Sequence, residues 1–148
     1  MIAWSIQSQP SDLLEAEAFL NPGGWSVDPQ FVQQMGSPYL MAHGMGRPVE
    51  NAETRFKVDQ GGTYHVWVRT KDWVPGPWES PGRFIISIDS VEYPVHPLPE
   101  WNWVHLTTCV LTEGVVTIRL RDVTGFNARC DAIYFSSDSI APPSDYDA

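Results

Sequence analysis

Thr63-Tyr64-His65-Val66-Trp67-Val68-Arg69 decides the fold class. Its residues are mostly β-branched or aromatic, and side-chain character alternates with a period of two, as on a strand that buries one face. Arg83-Phe84-Ile85-Ile86-Ser87-Ile88-Asp89 and Val115-Val116-Thr117-Ile118-Arg119-Leu120-Arg121 repeat the pattern. Shorter strands are expected over Leu13 to Leu20, Tyr39 to His43, Glu53 to Val58, Trp103 to Leu111 and Cys130 to Ser136. Gln60-Gly61-Gly62 and Thr112-Glu113-Gly114 read as hairpin connections between successive strands. Only Asp12 to Phe19 and Pro29 to Met35 have the pattern of a helical turn. Many short strands separated by turn signals define an all-β, antiparallel β-sandwich. Trp67 lies in the middle of its run and is expected in the core, and Trp25, after Gly23-Gly24, caps the sandwich.

The chain of 148 residues has the size of one domain, with 43% hydrophobic and 18% charged residues. The division expected is an N-terminal extension over 1–12, the sandwich over 13–138 and a flexible Pro/Ser/Asp-rich tail over 139–148. No apolar run approaches the ~20 residues of a membrane-spanning helix, so no membrane association is expected. Nine Lys plus Arg against 18 Asp plus Glu give a net charge of −9, which argues against nucleic acid as a partner. Met1-Ile2-Ala3-Trp4 lacks the basic start and apolar core of a signal peptide and reads as the edge of an excised domain or of a processed chain. Cys109 and Cys130 are too few for a disulfide scaffold; they read as buried thiols or as a bridge between neighbouring strands.

The sequence contains no nucleophile elbow, no phosphate-binding loop and no paired histidines at helical spacing, and Gly44-Met45-Gly46 is only a fragment of a dinucleotide fingerprint. His43, His65, His96 and His105 are scattered and lack the short spacing usual for zinc ligands. These absences favour a protein that binds over one that catalyses. Glu15 and Glu17 project from one face of a strand, and two carboxylates that close call for a cation. Ca²⁺ suits an all-oxygen donor set, and Asp131, opening the last strand, completes the set if the first and last strands are neighbours. Otherwise the two glutamates face solvent, and Asp131 pairs with Arg129 or a backbone turn. Trp73, Trp78 and Trp101 stand in Pro/Gly-framed loops, where an indole either stacks on the C–H face of a pyranose or folds back to plug the sandwich. In Thr124 to Ile133, Asn127 and Arg129 offer polar contacts for sugar hydroxyls beside the aromatic ring of Phe126.

Leu14-Glu15-Ala16-Glu17-Ala18-Phe19 resembles the opening strand of carbohydrate-binding modules of families six and thirty-five. Gly62 to Arg69 resembles their central Gly-x-Tyr-x-Val-x-Val-Arg strand, and Asn127 to Ile133 their closing Asn-x-x-x-Asp-x-Ile. The resemblance runs from about Leu13 to Ser136. It implies a jelly-roll of the galactose-binding-domain-like kind, a structural calcium near the first and last strands, and glycan binding through loop aromatics and a loop Asn. Gly24-Trp25, Met35 to Leu40, His43-Gly44 and Arg69 to Trp73 also look like accessory domains of bacterial FAD-dependent oxidoreductases and polysaccharide-degrading proteins. The expected function is a non-catalytic carbohydrate-binding module within a larger secreted, periplasmic or cell-surface protein. Its partners would be a polysaccharide or oligosaccharide and a covalently linked catalytic domain. The candidate sugar contacts are Trp73, Trp78, Trp101, Phe126, His43, Arg47 and Asn127, and the candidate calcium ligands are Glu15, Glu17 and Asp131. One alternative is a docking domain that packs its aromatic loops against a partner enzyme such as an FAD-dependent oxidoreductase. The other is a small lyase or hydrolase using Asp72, Glu79 and Glu100.

Overall fold

The computed structural model describes residues 11–28, 39–44, 47–71, 83–97 and 100–137, with the backbone alone for Ser11, Asp12, Glu17, Asp28, His43, Phe126 and Asn127. Within them the alternating runs form β1 (Ser11–Glu15), β2 (Ser26–Asp28), β3 (Tyr39–His43), β4 (Ala52–Val58) and β5 (Gly62–Thr70). They continue as β6 (Phe84–Ile88), β7 (Val91–Val95), β8 (Asn102–Leu111), β9 (Gly114–Asp122) and β10 (Phe126–Ser136). The expected strand from Leu13 to Leu20 stops at Glu15 and gives way to a 3-10 turn, Ala16–Ala18. β2 and β7 are strands that the alternation did not reveal. β7 reads Val-Glu-Tyr-Pro-Val, and Pro94 is tolerated because β7 is an edge strand with one partner.

The strands form two antiparallel sheets. β10 is the axis of the larger, six-stranded one. Along one side it pairs with β5, and β8 lies beyond. Along the other it pairs first with β3, up to Cys130, and then with β1, from Ala132 onward. The first and last strands are thus neighbours, as expected. The smaller sheet runs β4-β9-β6-β7. Gln60-Gly61-Gly62 and Thr112-Glu113-Gly114 do not close hairpins: each leads from one sheet to the other, since β4 and β9 belong to the smaller sheet and β5 and β8 to the larger. Glycine serves these corners for the same reason it serves hairpins, and Gly114 has φ +132°.

The core lies between the sheets. Val66 and Val68 of β5 and Ile133 and Phe135 of β10 meet Ile118 and Leu120 of β9 and Phe84 and Ile86 of β6. Phe56 packs on Phe135 with ring centroids 4.6 Å apart, and Trp25 closes one margin edge-on to Phe84 at 5.6 Å. The alternation that buries Tyr64, Val66 and Val68 turns Trp67 away from them. Trp67 is therefore not a core residue, contrary to expectation; it is half-buried on the outer face, 4.8 Å from the ring of His105. The cysteines are not bridged. Cys109 is opposite Tyr64 and Cys130 opposite Thr70, six residues further along β5 and roughly 20 Å away. Burial pushes the Cys109 thiol above its ordinary ionisation range.

Ile118→Ala, in the centre of the core, is expected to destabilise the domain by about 2–5 kcal/mol, and Trp67→Ala by less than about 2 kcal/mol. Urea denaturation of the two variants checks the assignment of faces. A Trp67→Ala loss as large as that of Ile118→Ala would contradict it.

Candidate functional site

Two connections meet at one end of the sandwich. His43, the last residue of β3, is opposite Phe126, the first of β10. Beyond that pair the Gly44 N–H donates to the Gly125 carbonyl at 3.0 Å, and the Arg47 N–H donates back to the Gly44 carbonyl at 3.0 Å. Gly125 has φ +74°, and a Cβ there would overlap the Arg47 backbone, so the close approach of the two loops requires glycine. Asp122 fastens the arrangement from below. Its buried carboxylate accepts from the Gly125 N–H through Oδ1 and from the Val49 N–H through Oδ2, each at 3.1 Å. One side chain thereby fixes both loops, and Arg47 is left exposed.

This end gathers four of the seven expected sugar contacts, His43, Arg47, Phe126 and Asn127, from segments about 80 residues apart in sequence. Trp101 stands apart from them. It is half-buried, edge-on to Tyr39 at 4.8 Å, near the level of Cys130 and roughly 13 Å along β10 from Phe126. Trp73 and Trp78 lie outside the described residues, as do Asp72 and Glu79 of the catalytic alternative. The segment that carries them leaves β5 after Thr70, which is opposite both Cys130 and Asn102 and donates from Oγ1 to the Arg129 carbonyl at 2.5 Å.

Three rows of side chains cross the outer face of the larger sheet. Glu15, Ala132, Arg69 and Trp103 form one; Leu13, Tyr134, Trp67 and His105 the next; Ser136, His65 and Thr108 the third. Trp103 packs edge-on to Tyr134 at 6.2 Å. This aromatic face is hidden by the expectation that Trp67 is a core residue, although its parity against Val66 and Val68 places it on the outer side.

The expected calcium ligands lie around a bulge in β10. Glu15 is opposite Ala132, next to Asp131, and the 3-10 turn carrying Glu17 rests against β10 and β3. Asp131 is fully buried, with Arg69 Nη1 3.7 Å from its Oδ2, so a basic side chain already faces one member of the set. Glu15 Oε1 is buried and accepts no hydrogen bond. Such an atom is costly to leave uncompensated, and a cation at this point would compensate it. No group of three His, Cys, Asp or Glu side chains stands close enough to hold a metal among the described residues, which exclude the Glu17 side chain.

Comparison with solved structures identifies the architecture as that of the jelly-roll carbohydrate-binding modules. A GH26-CBM35 β-(1,4)-mannanase from Podospora anserina matches over 92% of this chain with a TM-score of 0.68 and 18% identity. This chain spans 29% of that enzyme. A family 35 carbohydrate-binding module from Clostridium thermocellum matches over 85% of this chain and 98% of its own, with a TM-score of 0.63 and 19% identity. The C-terminal CBM6 of a marine laminarinase from Zobellia galactanivorans matches over 86% of this chain and 100% of its own, with a TM-score of 0.58 and 16% identity. At such identities the likeness is one of fold. No family model matches the chain, and no curated protein is similar to it in sequence.

Gly125→Ala should destabilise the domain by about 2–4 kcal/mol, the sum of a left-handed backbone conformation and the overlap with Arg47. Thermal and urea unfolding of the variant measure it; a loss below about 1 kcal/mol would mean that the two loops are free to separate.

Proposed function

We propose that the domain is a non-catalytic carbohydrate-binding module, accessory to a larger glycan-active protein that is secreted or held at the cell surface. The observation that carries this reading is the convergence of His43, Arg47, Phe126 and Asn127 at one rigid end of the sandwich. The fold likeness supports it, since the mannanase joins a module of this shape to a catalytic chain. Sugar recognition would combine an aromatic face with donors and acceptors that satisfy vicinal hydroxyls. Arg47 brings a fork of N–H donors and Asn127 both kinds of group. Phe126, Trp101, Trp73 and Trp78 are the apolar candidates. The stapling by Asp122 lowers the ordering cost of binding, because the loops are fixed before the ligand arrives. A net charge of −9 favours a neutral glycan over an anionic one.

Affinity electrophoresis through gels containing galactomannan, laminarin or xylan tests the reading. Retardation by at least one of the three is expected, with Arg47→Ala and Asn127→Ala each weakening it by about 1–2 kcal/mol, roughly tenfold. Trp73→Ala and Trp78→Ala are expected to weaken it by about 1–3 kcal/mol without unfolding the domain. Migration unaffected by all three polysaccharides would count against glycan binding.

Calcium belongs to the same proposal. Glu15, Glu17 and Asp131 would hold it, and it would supply charge compensation that ties β1 and the 3-10 turn to β10, with no part in any reaction. The buried, unbonded Oε1 of Glu15 supports this assignment. If calcium is bound, a chelator should lower the unfolding midpoint and added Ca²⁺ should restore it. A midpoint indifferent to both would argue for compensation by Arg69 alone.

A further inference from the structure

We propose that His65 and His105 form a site for a borderline divalent ion of the Zn²⁺ or Cu²⁺ class, on the outer face of the larger sheet. The two histidines are forty residues apart in sequence, and a bulge brings them together. From Thr63 opposite Val110 to Val66 opposite Thr107 the β5–β8 register is regular. At the next step Trp67 is opposite His105, and Leu106 becomes the extra residue. In an unbroken register Leu106 would face Trp67 and His105 would point into the core. The bulge sends Leu106 against the core and turns His105 outward, onto the face that carries His65. The result is a pair of imidazoles with ring centroids 5.8 Å apart. Two rings sharing an ion at about 2.0–2.1 Å from each nitrogen hold their centroids roughly 5–6 Å apart.

The rest of the arrangement suits a ligand pair. Thr108 Oγ1 lies 3.1 Å from His65 Nδ1. When Nδ1–H donates to that hydroxyl, the lone pair is left on Nε2, and the ring is held by an outer partner as metal-binding histidines usually are. His105 is exposed, so an ion reaches the pair from solvent, and both rings stand on paired strands that limit their movement. The surrounding field is favourable, because a chain of net charge −9 draws cations toward it. Among the described residues no third His, Cys, Asp or Glu joins the two, so water completes the coordination. Imidazole donors select Zn²⁺ and Cu²⁺, whereas the carboxylates around Glu15 suit Ca²⁺.

Calorimetric titration of the intact chain with Zn²⁺, in excess Ca²⁺ to occupy the carboxylate donors, tests the assignment. One Zn²⁺ per chain is expected. His65→Asn and His105→Gln should each weaken it by at least about tenfold, and Thr108→Val by about tenfold through the lost orienting bond. His96→Gln, in the segment that follows β7 of the smaller sheet, should leave it unchanged. Trp67 gives a measure that needs no histidine variant, since its ring is 4.8 Å from His105. Cu²⁺ should quench a component of the tryptophan emission that is absent from Trp67→Phe. Zn²⁺ binding that survives both histidine substitutions, or no binding and no Trp67 quenching at millimolar ion, overturns the proposal.

Discussion

The Asp131–Arg69 ion pair sits where β10 exchanges one neighbour for another. Up to Cys130 the strand is paired with β3, and from Ala132 with β1, while a bulge interrupts its ladder with β5 at the same place. A strand that changes partners leaves backbone groups and side chains aimed in unusual directions, and here it buries a carboxylate completely. Arg69 Nη1, 3.7 Å away on β5, keeps that carboxylate from standing as a lone charge in an apolar setting. β3, β1 and β5 all take their positions from β10, so the geometry at Asp131 sets both the loop end of the sandwich and its outer face. The pair also clarifies what a calcium ion would add. Asp131 already has a cation beside it, whereas Glu15 Oε1 has no hydrogen bond, so a bound ion would act mainly on the β1 side of the junction.

The two sheets differ in regularity, and the difference matches what each has available for function. The ladders of the smaller sheet run without a register shift, and its outer face is a set of crossed charges. Arg119 Nε donates to Glu53 at 2.9 Å, and Arg121 makes a two-pronged contact with Glu92 at 3.1 Å. These partners are a third to a half exposed, so each pair contributes little stability and the face is satisfied by itself and by water. The larger sheet is interrupted after Phe126, after Cys130 and after Val66. The interruptions after Cys130 and Val66 re-aim side chains, those of Asp131 and His105, and the candidate binding residues lie near all three.

Much of the architecture was legible as alternation. Tyr39 to His43 is a strand to the residue, and Thr63 to Arg69 and Val115 to Arg121 needed only one more residue at each end. The pairing of the first strand with the last also followed from the sequence, whereas the pairing of His43 with Phe126 appears only in the structure. What failed has a common cause. Alternation separates two faces but does not say which one is buried, so Trp67 was assigned to the core when the parity of Val66 and Val68 excludes it. A glycine-bearing turn does not say whether the next strand stays in its sheet, so two inter-sheet corners read as hairpins. Bulges are invisible to a period of two, which is why His65 and His105 looked unrelated. β7 is hidden by Pro94, which cannot donate to a ladder and argues against a strand everywhere but at an edge.

The two proposed sites are physically separate, and this bears on how they would behave together. Phe126 marks the loop end of β10, and Ser136, opposite His65, its other end. They are ten residue steps apart along the strand, roughly 33 Å if fully extended. An ion at the histidine pair would therefore not compete for the groups proposed to hold a sugar at His43, Arg47 and Asn127. Any influence of one on the other would have to pass along β10 through the junction at Asp131. Close packing opposes small displacements there: Ile133 and Phe135 are locked in the core on one side of the junction, and Ala128 and Cys130 on the other. Sites this far apart with no shared partner are additive to a first approximation. With both proposed sites occupied, the sandwich would act as a spacer between two independent surfaces, one at its loop end and one on the bulged face of its larger sheet.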